Sequence, residues 1–108
     1  MKDYRVYLKK KKKNDPIEMA FFPLTMNRGE KYRFYGLQSS ALKGKLVITI
    51  YNNMKRENQM ATTFNATTQT RYESLEFVCH STGNFCLAFY FQDGEEGCGV
   101  GISSFKKE

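Results

Sequence analysis

Apolar and polar residues alternate along most of this chain, and no segment sustains the 3.6-residue apolar spacing of a helix. A period of two sends successive side chains to opposite faces of a strand. Tyr4-Arg5-Val6-Tyr7-Leu8 reads as a first strand, followed by a turn at Asn14-Asp15-Pro16. Ile17 to Met26 reads as a second, with Phe22, Leu24 and Met26 on one side. Pro23 has no N–H to give to a ladder, so this strand belongs at an edge or is broken there. After the Asn27-Arg28-Gly29-Glu30 turn, Lys31 to Tyr35 forms a third strand with Tyr32 and Phe34 inward. Gln38 to Gly44 is a polar loop. Lys45 to Tyr51 then buries Leu46, Ile48 and Ile50. Met60 to Phe64 is a short, weak strand, and the Thr- and Asn-rich Asn65 to Thr70 reads as a loop.

Ser74 to Phe105 carries the strongest turn signals. Asp93-Gly94 lies between two apolar runs, the signature of a hairpin whose turn needs φ > 0 at both central residues. That hairpin sets Phe89 against Cys98, Leu87 against Val100 and Phe85 against Ile102. Its other face sets Tyr90 beside Gly97. Ser81-Thr82-Gly83 reads as a three-residue loop that sets Cys79 against Phe85, Phe77 against Leu87 and Leu75 against Phe89. The expected buried face is therefore Leu75, Phe77, Cys79, Phe85, Leu87, Phe89, Cys98, Val100 and Ile102. Cys86 faces outward with Ala88 and Tyr90. No two cysteines come within disulfide reach in that register, which predicts three free thiols. A tighter Thr82-Gly83 turn would place Cys79 opposite Cys86, but it also sets Glu76 against Phe89 and ranks second.

Strands at near-regular spacing with turns between them predict an all-β fold: a two-sheet antiparallel, jelly-roll-like β-sandwich of about seven or eight strands with little or no helix. At 108 residues the chain is long enough for one core, so residues 1–108 are read as a single domain. Residues 1–15 form its basic first strand and turn, with 9–15 expected to be mobile.

Charge alters this picture only locally. Of the net charge of +6, all resides in the first thirteen residues: Lys2, Arg5 and Lys9 to Lys13 against Asp3. The remainder is balanced. A run at Lys9, Lys10, Lys11, Lys12 and Lys13 reads first as a solvated loop or a strand end protected against edge pairing. The sharper alternative is a contact for a polyanion or an acidic membrane surface. Nucleic acid is not the expected partner, since no aromatics interleave with these lysines. No apolar run approaches the length of a transmembrane helix. No signal-peptide h-region is visible, which fits either a cytosolic protein or one whose targeting segment has been removed.

Candidate chemistry is sparse. His80, the only histidine, ends a strand, and no Gly-x-Ser-x-Gly elbow accompanies it. A surface histidine is the plain reading. Cys79, His80, Cys86 and Cys98 lack metal-ligand spacing, and no metal or cofactor is expected. Asp93, Glu95 and Glu96 read as a solvated acidic tip before a weak calcium site. Asn65-Ala66-Thr67 matches a glycosylation acceptor that matters only in a eukaryotic secretory pathway. Tyr35, Tyr51 and Tyr90 are expected to face away from the core. Tyr90 would shield the backbone at Gly97. Alternatively, the three tyrosines form a platform for a sugar ring or a partner chain.

FFPLTMNRGEKYRF, LVITIYNN and LEFVCHSTGNFCLAFYF together resemble a three-part pattern found in bacterial jelly-roll modules of the pre-peptidase C-terminal type and, more distantly, in Golgi-dynamics (GOLD) domains. Phe85 stands where that pattern usually has Tyr. The ending GCGVGISSF resembles small secreted or lipoprotein-like β-sandwich proteins of the Bacteroidetes. The resemblance implies a non-catalytic, extracytoplasmic (periplasmic or secreted) module. The expected function is binding of a protein partner or an envelope glycan. A purely structural domain is the alternative, ahead of a hydrolase or a polyanion binder.

Overall fold

The computed structural model describes residues 2–65 and 67–107. Among the described residues, ten strands run in order: β1 (Lys2–Leu8), β2 (Ala20–Met26), β3 (Glu30–Gln38), β4 (Leu46–Tyr51), β5 (Gln59–Thr62), β6 (Phe64–Asn65), β7 (Thr70–Arg71), β8 (Ser74–Val78), β9 (Gly83–Phe91) and β10 (Gly97–Lys107). Among the described residues, the one helical element is a single 3-10 turn at Gln92–Gly94. Eight strands form two antiparallel sheets, ordered β1-β10-β3-β8 and β2-β9-β4-β5. The remaining two, β6 and β7, pair with each other.

The ladders β1·β10, β2·β9 and β3·β8 are nested one inside the next and enclose the β4–β5 and β6–β7 pairs. One long antiparallel ribbon has been rolled into two layers. That is the jelly-roll arrangement anticipated from the strand spacing, and it is an all-β sandwich. The edge position foreseen for the Pro23 strand is also found: β2 borders its sheet, with Pro23 opposite Cys86.

Between the layers lies one apolar core. Tyr4 and Val6 of β1, Tyr32 and Phe34 of β3, Leu46, Ile48 and Ile50 of β4, and Phe85, Leu87, Phe89 and Phe91 of β9 all point into it. Leu75 and Phe77 of β8 close its side. Every one of these positions follows the two-residue period. The Tyr4 hydroxyl is buried with no hydrogen-bond partner among the described residues. Such a group costs about 1–3 kcal/mol, so burial of the ring must outweigh it.

The two hairpins expected within Ser74 to Phe105 do not form. β8 and β10 lie in one sheet and β9 in the other, so both connections cross the sandwich. Cys79, Phe85, Leu87 and Phe89 face inward as expected, but they meet residues across the core and not along a shared ladder. Asp93 and Gly94 do have positive φ, 61° and 69°, yet the turn they make carries the chain between layers. The reason lies in β10. Its inward positions are Gly97, Gly99, Gly101 and the buried Ser103, while Cys98 is exposed and Val100 and Ile102 face out, half-buried. The expected buried set of Cys98, Val100 and Ile102 is therefore inverted. A Cβ at Gly97 would enter the Phe91 ring, and one at Gly101 the Phe89 ring. The glycines make room for phenylalanines of the opposite sheet, and none of them is shielded by Tyr90. Tyr90 pairs with Val47.

Candidate functional site

The outer face of the β2-β9-β4-β5 sheet is where chemistry concentrates. Small side chains line its middle: Val47, Thr49, Cys86 and Ala88 point outward yet are fully buried. Cys86 faces outward as expected, and is covered there all the same. The larger Phe21, Tyr51 and Tyr90 flank these positions on the same face. The 52–58 turn folds back over it, with the Arg56 guanidinium 4.3 Å from the Phe21 ring centre. Tyr51 sits opposite Cys86 and Tyr90 opposite Val47, so the two tyrosines share one sheet face.

Beyond β5 the chain turns back as the β6–β7 hairpin. Thr63 anchors it. Its buried hydroxyl accepts the Ile48 N–H at 2.9 Å, its own N–H reaches the Ile48 carbonyl at 2.9 Å, and its carbonyl takes the Tyr72 N–H at 2.6 Å. Thr62 shares a 3.1 Å hydroxyl contact with Thr49. These bonds hold an open cleft of about 490 Å³ lined by Gln59, Thr62, Phe64, Asn65, Tyr72 and Tyr90. Gln59 pairs with Tyr51 across β4–β5, which places the second tyrosine at the cleft's border. The Asn65 side-chain oxygen accepts the Thr67 and Thr68 N–H groups at 3.0 and 3.3 Å. Ala66, at the centre of the acceptor sequence Asn65-Ala66-Thr67, lies outside the described residues. The lining offers three aromatic rings, two amides and the three hydroxyls of Thr62, Tyr72 and Tyr90, and no carboxylate, amine, guanidinium or imidazole.

No protein-family model matches the chain, and no curated protein matches it.

The likeness to pre-peptidase C-terminal and GOLD modules thus rests on residue pattern alone, and function has to be argued from surfaces. Tyr35 does not join the other two tyrosines. It lies on the outer face of the opposite sheet, between Ile102 and Ser74 in their ladders, with the Arg33 guanidinium 5.5 Å from its ring centre. Conversely, Gln59, Phe64, Asn65 and Tyr72 were missed by sequence reasoning. The available signal was an amide- and hydroxyl-rich stretch bracketed by Phe64 and Tyr72.

The lysine run lies against the acidic turn. The Lys11 N–H donates to the Gly94 carbonyl at 2.8 Å, and the Lys11 stem fills the space over Gly94. Lys10 and Lys43 share a cleft with Glu95 and Glu96. Glu96 also accepts the Tyr7 hydroxyl at 2.5 Å, a bond that raises the Tyr7 pKa. Lys9, Lys12 and Lys13 are exposed. His80 is exposed just past β8. All three cysteines are free, Cys79 and Cys86 buried and Cys98 exposed. Among the described residues, no cluster of His, Cys, Asp and Glu side chains has metal-binding geometry, and no helix is long and apolar enough to cross a membrane.

Burial raises the Tyr90 and Tyr32 phenols above 10.0, with the nearby Tyr51 adding to the effect on Tyr90 and a hydrogen bond to Glu30 adding to it on Tyr32. Burial also raises the Cys86 thiol above 9.0, partly offset by Arg56. In each case the folded pKa exceeds the unfolded one. The associated stability is intact below the unfolded pKa and is lost as pH rises through the folded one. The melting temperature should therefore fall as pH climbs above about 9, and phenolate absorbance should show a fraction of the tyrosines titrating late. A melting temperature that held constant over that range would contradict the assigned burial.

Proposed function

We propose that the chain is a non-enzymatic β-sandwich module that binds glycan through the outer face of the β2-β9-β4-β5 sheet, outside the cytoplasm. One observation carries this reading: the cleft of Gln59, Thr62, Phe64, Asn65, Tyr72 and Tyr90 combines flat rings with uncharged hydrogen-bonding groups. Sugar rings present apolar C–H faces and a rim of hydroxyls, and this lining matches both. The Gln59 amide can donate and accept at once, which suits hydroxyls that do the same, and Asn65, its oxygen held by Thr67 and Thr68, keeps its NH2 to donate. Nothing in the cleft pairs a nucleophile with a base, which favours binding over hydrolysis.

A glycan array followed by calorimetry tests the reading. Tyr72→Ala and Tyr90→Ala should each weaken binding about tenfold or more. Tyr72 is 54% exposed, so Tyr72→Ala should leave the melting temperature unchanged. Binding that survives both substitutions would remove this face from consideration. The second reading is a protein partner on the opposite sheet, favoured by Leu37 and Tyr7, which are 66% and 54% exposed there. Tyr7→Ser would abolish that association and leave glycan affinity intact.

A further inference from the structure

We propose that the ligand is an acidic glycan whose anionic group is held by Arg33 and Arg71. This inference rests on the glycan reading and names the chemical class of its ligand. A second cleft, of about 450 Å³, opens at the β8 edge of the other sheet. Arg33, Tyr35, Leu37, Arg71, Glu73 and Ser74 line it. Two guanidiniums therefore border one open space. Arg33 stands over the Tyr35 ring, an arrangement that restricts the guanidinium while leaving its N–H edge available. Arg71 is placed by its ladder pairing with Phe64.

Neither guanidinium is neutralised. Glu76 lies directly opposite Arg33 across β3–β8, but its carboxylate pairs at 3.1 Å with Lys31, the one ion pair among the described residues. Glu73 borders the same cleft without coming within ion-pair distance of either arginine. Arg33, Arg71 and Glu73 leave this cleft one positive charge in excess. Such a site suits an isolated carboxylate or sulfate better than a dense polyanion.

The two clefts are neighbours. Arg71, Glu73 and Ser74 line the charged one, and Tyr72 between them lines the neutral one. The backbone from Arg71 to Ser74 is the wall between them. The Tyr72 N–H bond to the Thr63 carbonyl fixes this shared wall. A sugar ring against Tyr72 and Tyr90 thus has its neighbouring residues within reach of Arg71. An arginine binds carboxylate or sulfate through paired N–H groups, and the contact is sensitive to salt.

The test uses one hexose oligomer in three forms: neutral, with its primary alcohols oxidised to carboxylates, and sulfated. Free glucuronate is the fourth probe. Affinity is measured by calorimetry, and the backbone amides are followed by NMR. Expected are at least a tenfold preference for the carboxylate or the sulfate form over the neutral one, and shifts at Arg33, Tyr35, Arg71 and Ser74 with glucuronate. The stronger of the two charged forms identifies the group. Arg33→Gln and Arg71→Gln should each abolish the preference while neutral affinity and melting temperature hold. Equal affinity for all three forms, with those amides unmoved by glucuronate, would overturn the proposal and leave the glycan reading standing. Glucuronate shifts in the Arg33–Arg71 cleft without any binding of the neutral oligomer would instead remove the glycan platform at Tyr72 and Tyr90 and retain the anion site. No binding of any probe would overturn both.

Discussion

Gly101→Val should destabilise the protein by roughly 3 kcal/mol, against the sign that strand propensity predicts. Valine is a better strand former than glycine, and β10 is a central strand. At this position propensity loses to packing. A Cβ at Gly101 would lie within the Phe89 ring, which reaches it from the opposite sheet. Phe89 is itself fully buried and has no free volume to retreat into. Well-packed cores do not absorb added methyl groups without moving backbone. Urea unfolding measures the effect. The control is Cys98→Ser, exposed on the other face of the same strand, which should change stability by no more than about 0.5 kcal/mol. A Gly101→Val protein as stable as the parent would mean that the two sheets do not approach as described.

Phe89→Ala should cost about 3–5 kcal/mol, a large share of the stability of a domain this size. Phe89 joins three elements. Its ring centre lies 5.6 Å from Tyr4 of β1 and 5.8 Å from Phe22 of β2, the latter edge-to-face at 71°. Truncation removes these aromatic contacts and leaves a cavity between the sheets. It also vacates the space that a side chain at Gly101 would need. The double variant Phe89→Ala/Gly101→Val should therefore fall short of additivity by more than 1 kcal/mol, the mark of residues that share one volume. Strict additivity would place them in separate environments.

The residue pattern alone goes far in describing the individual strands. Alternation placed Tyr32 and Phe34, Leu46, Ile48 and Ile50, and Phe85, Leu87 and Phe89 on the buried side, and each is found there. Pro23 marked an edge strand because a missing N–H is a local fact. The same pattern misled where it was used to choose partners. Asp93-Gly94 has the positive φ values it demanded, but positive φ sets a local bend and says nothing about which sheet the next strand joins. In β10 the alternation of Cys98, Val100 and Ile102 with glycines points the apolar residues inward and leaves the glycines on the outer face. In the structure the glycines are the inward face, because the bulk that fills the space above them belongs to β9.

The candidate site was half legible for the same reason. Tyr51 and Tyr90 point away from the core, as period two requires, and they share a face. Tyr35 obeys the same rule on the other sheet. Phe64, Tyr72, Gln59 and Asn65 complete the cleft from a segment with no regular alternation, brought there by the bonds of one buried threonine. By itself the sequence determined an all-β chain and the facing of the side chains in β2, β3, β4, β8 and β9, since these depend on neighbours two residues apart. Only the tertiary structure decided that consecutive strands change sheets, that glycines lie under phenylalanines, and that two clefts meet at Tyr72. Those outcomes depend on which surfaces fill each other's volume, and that complementarity is between residues distant in the chain.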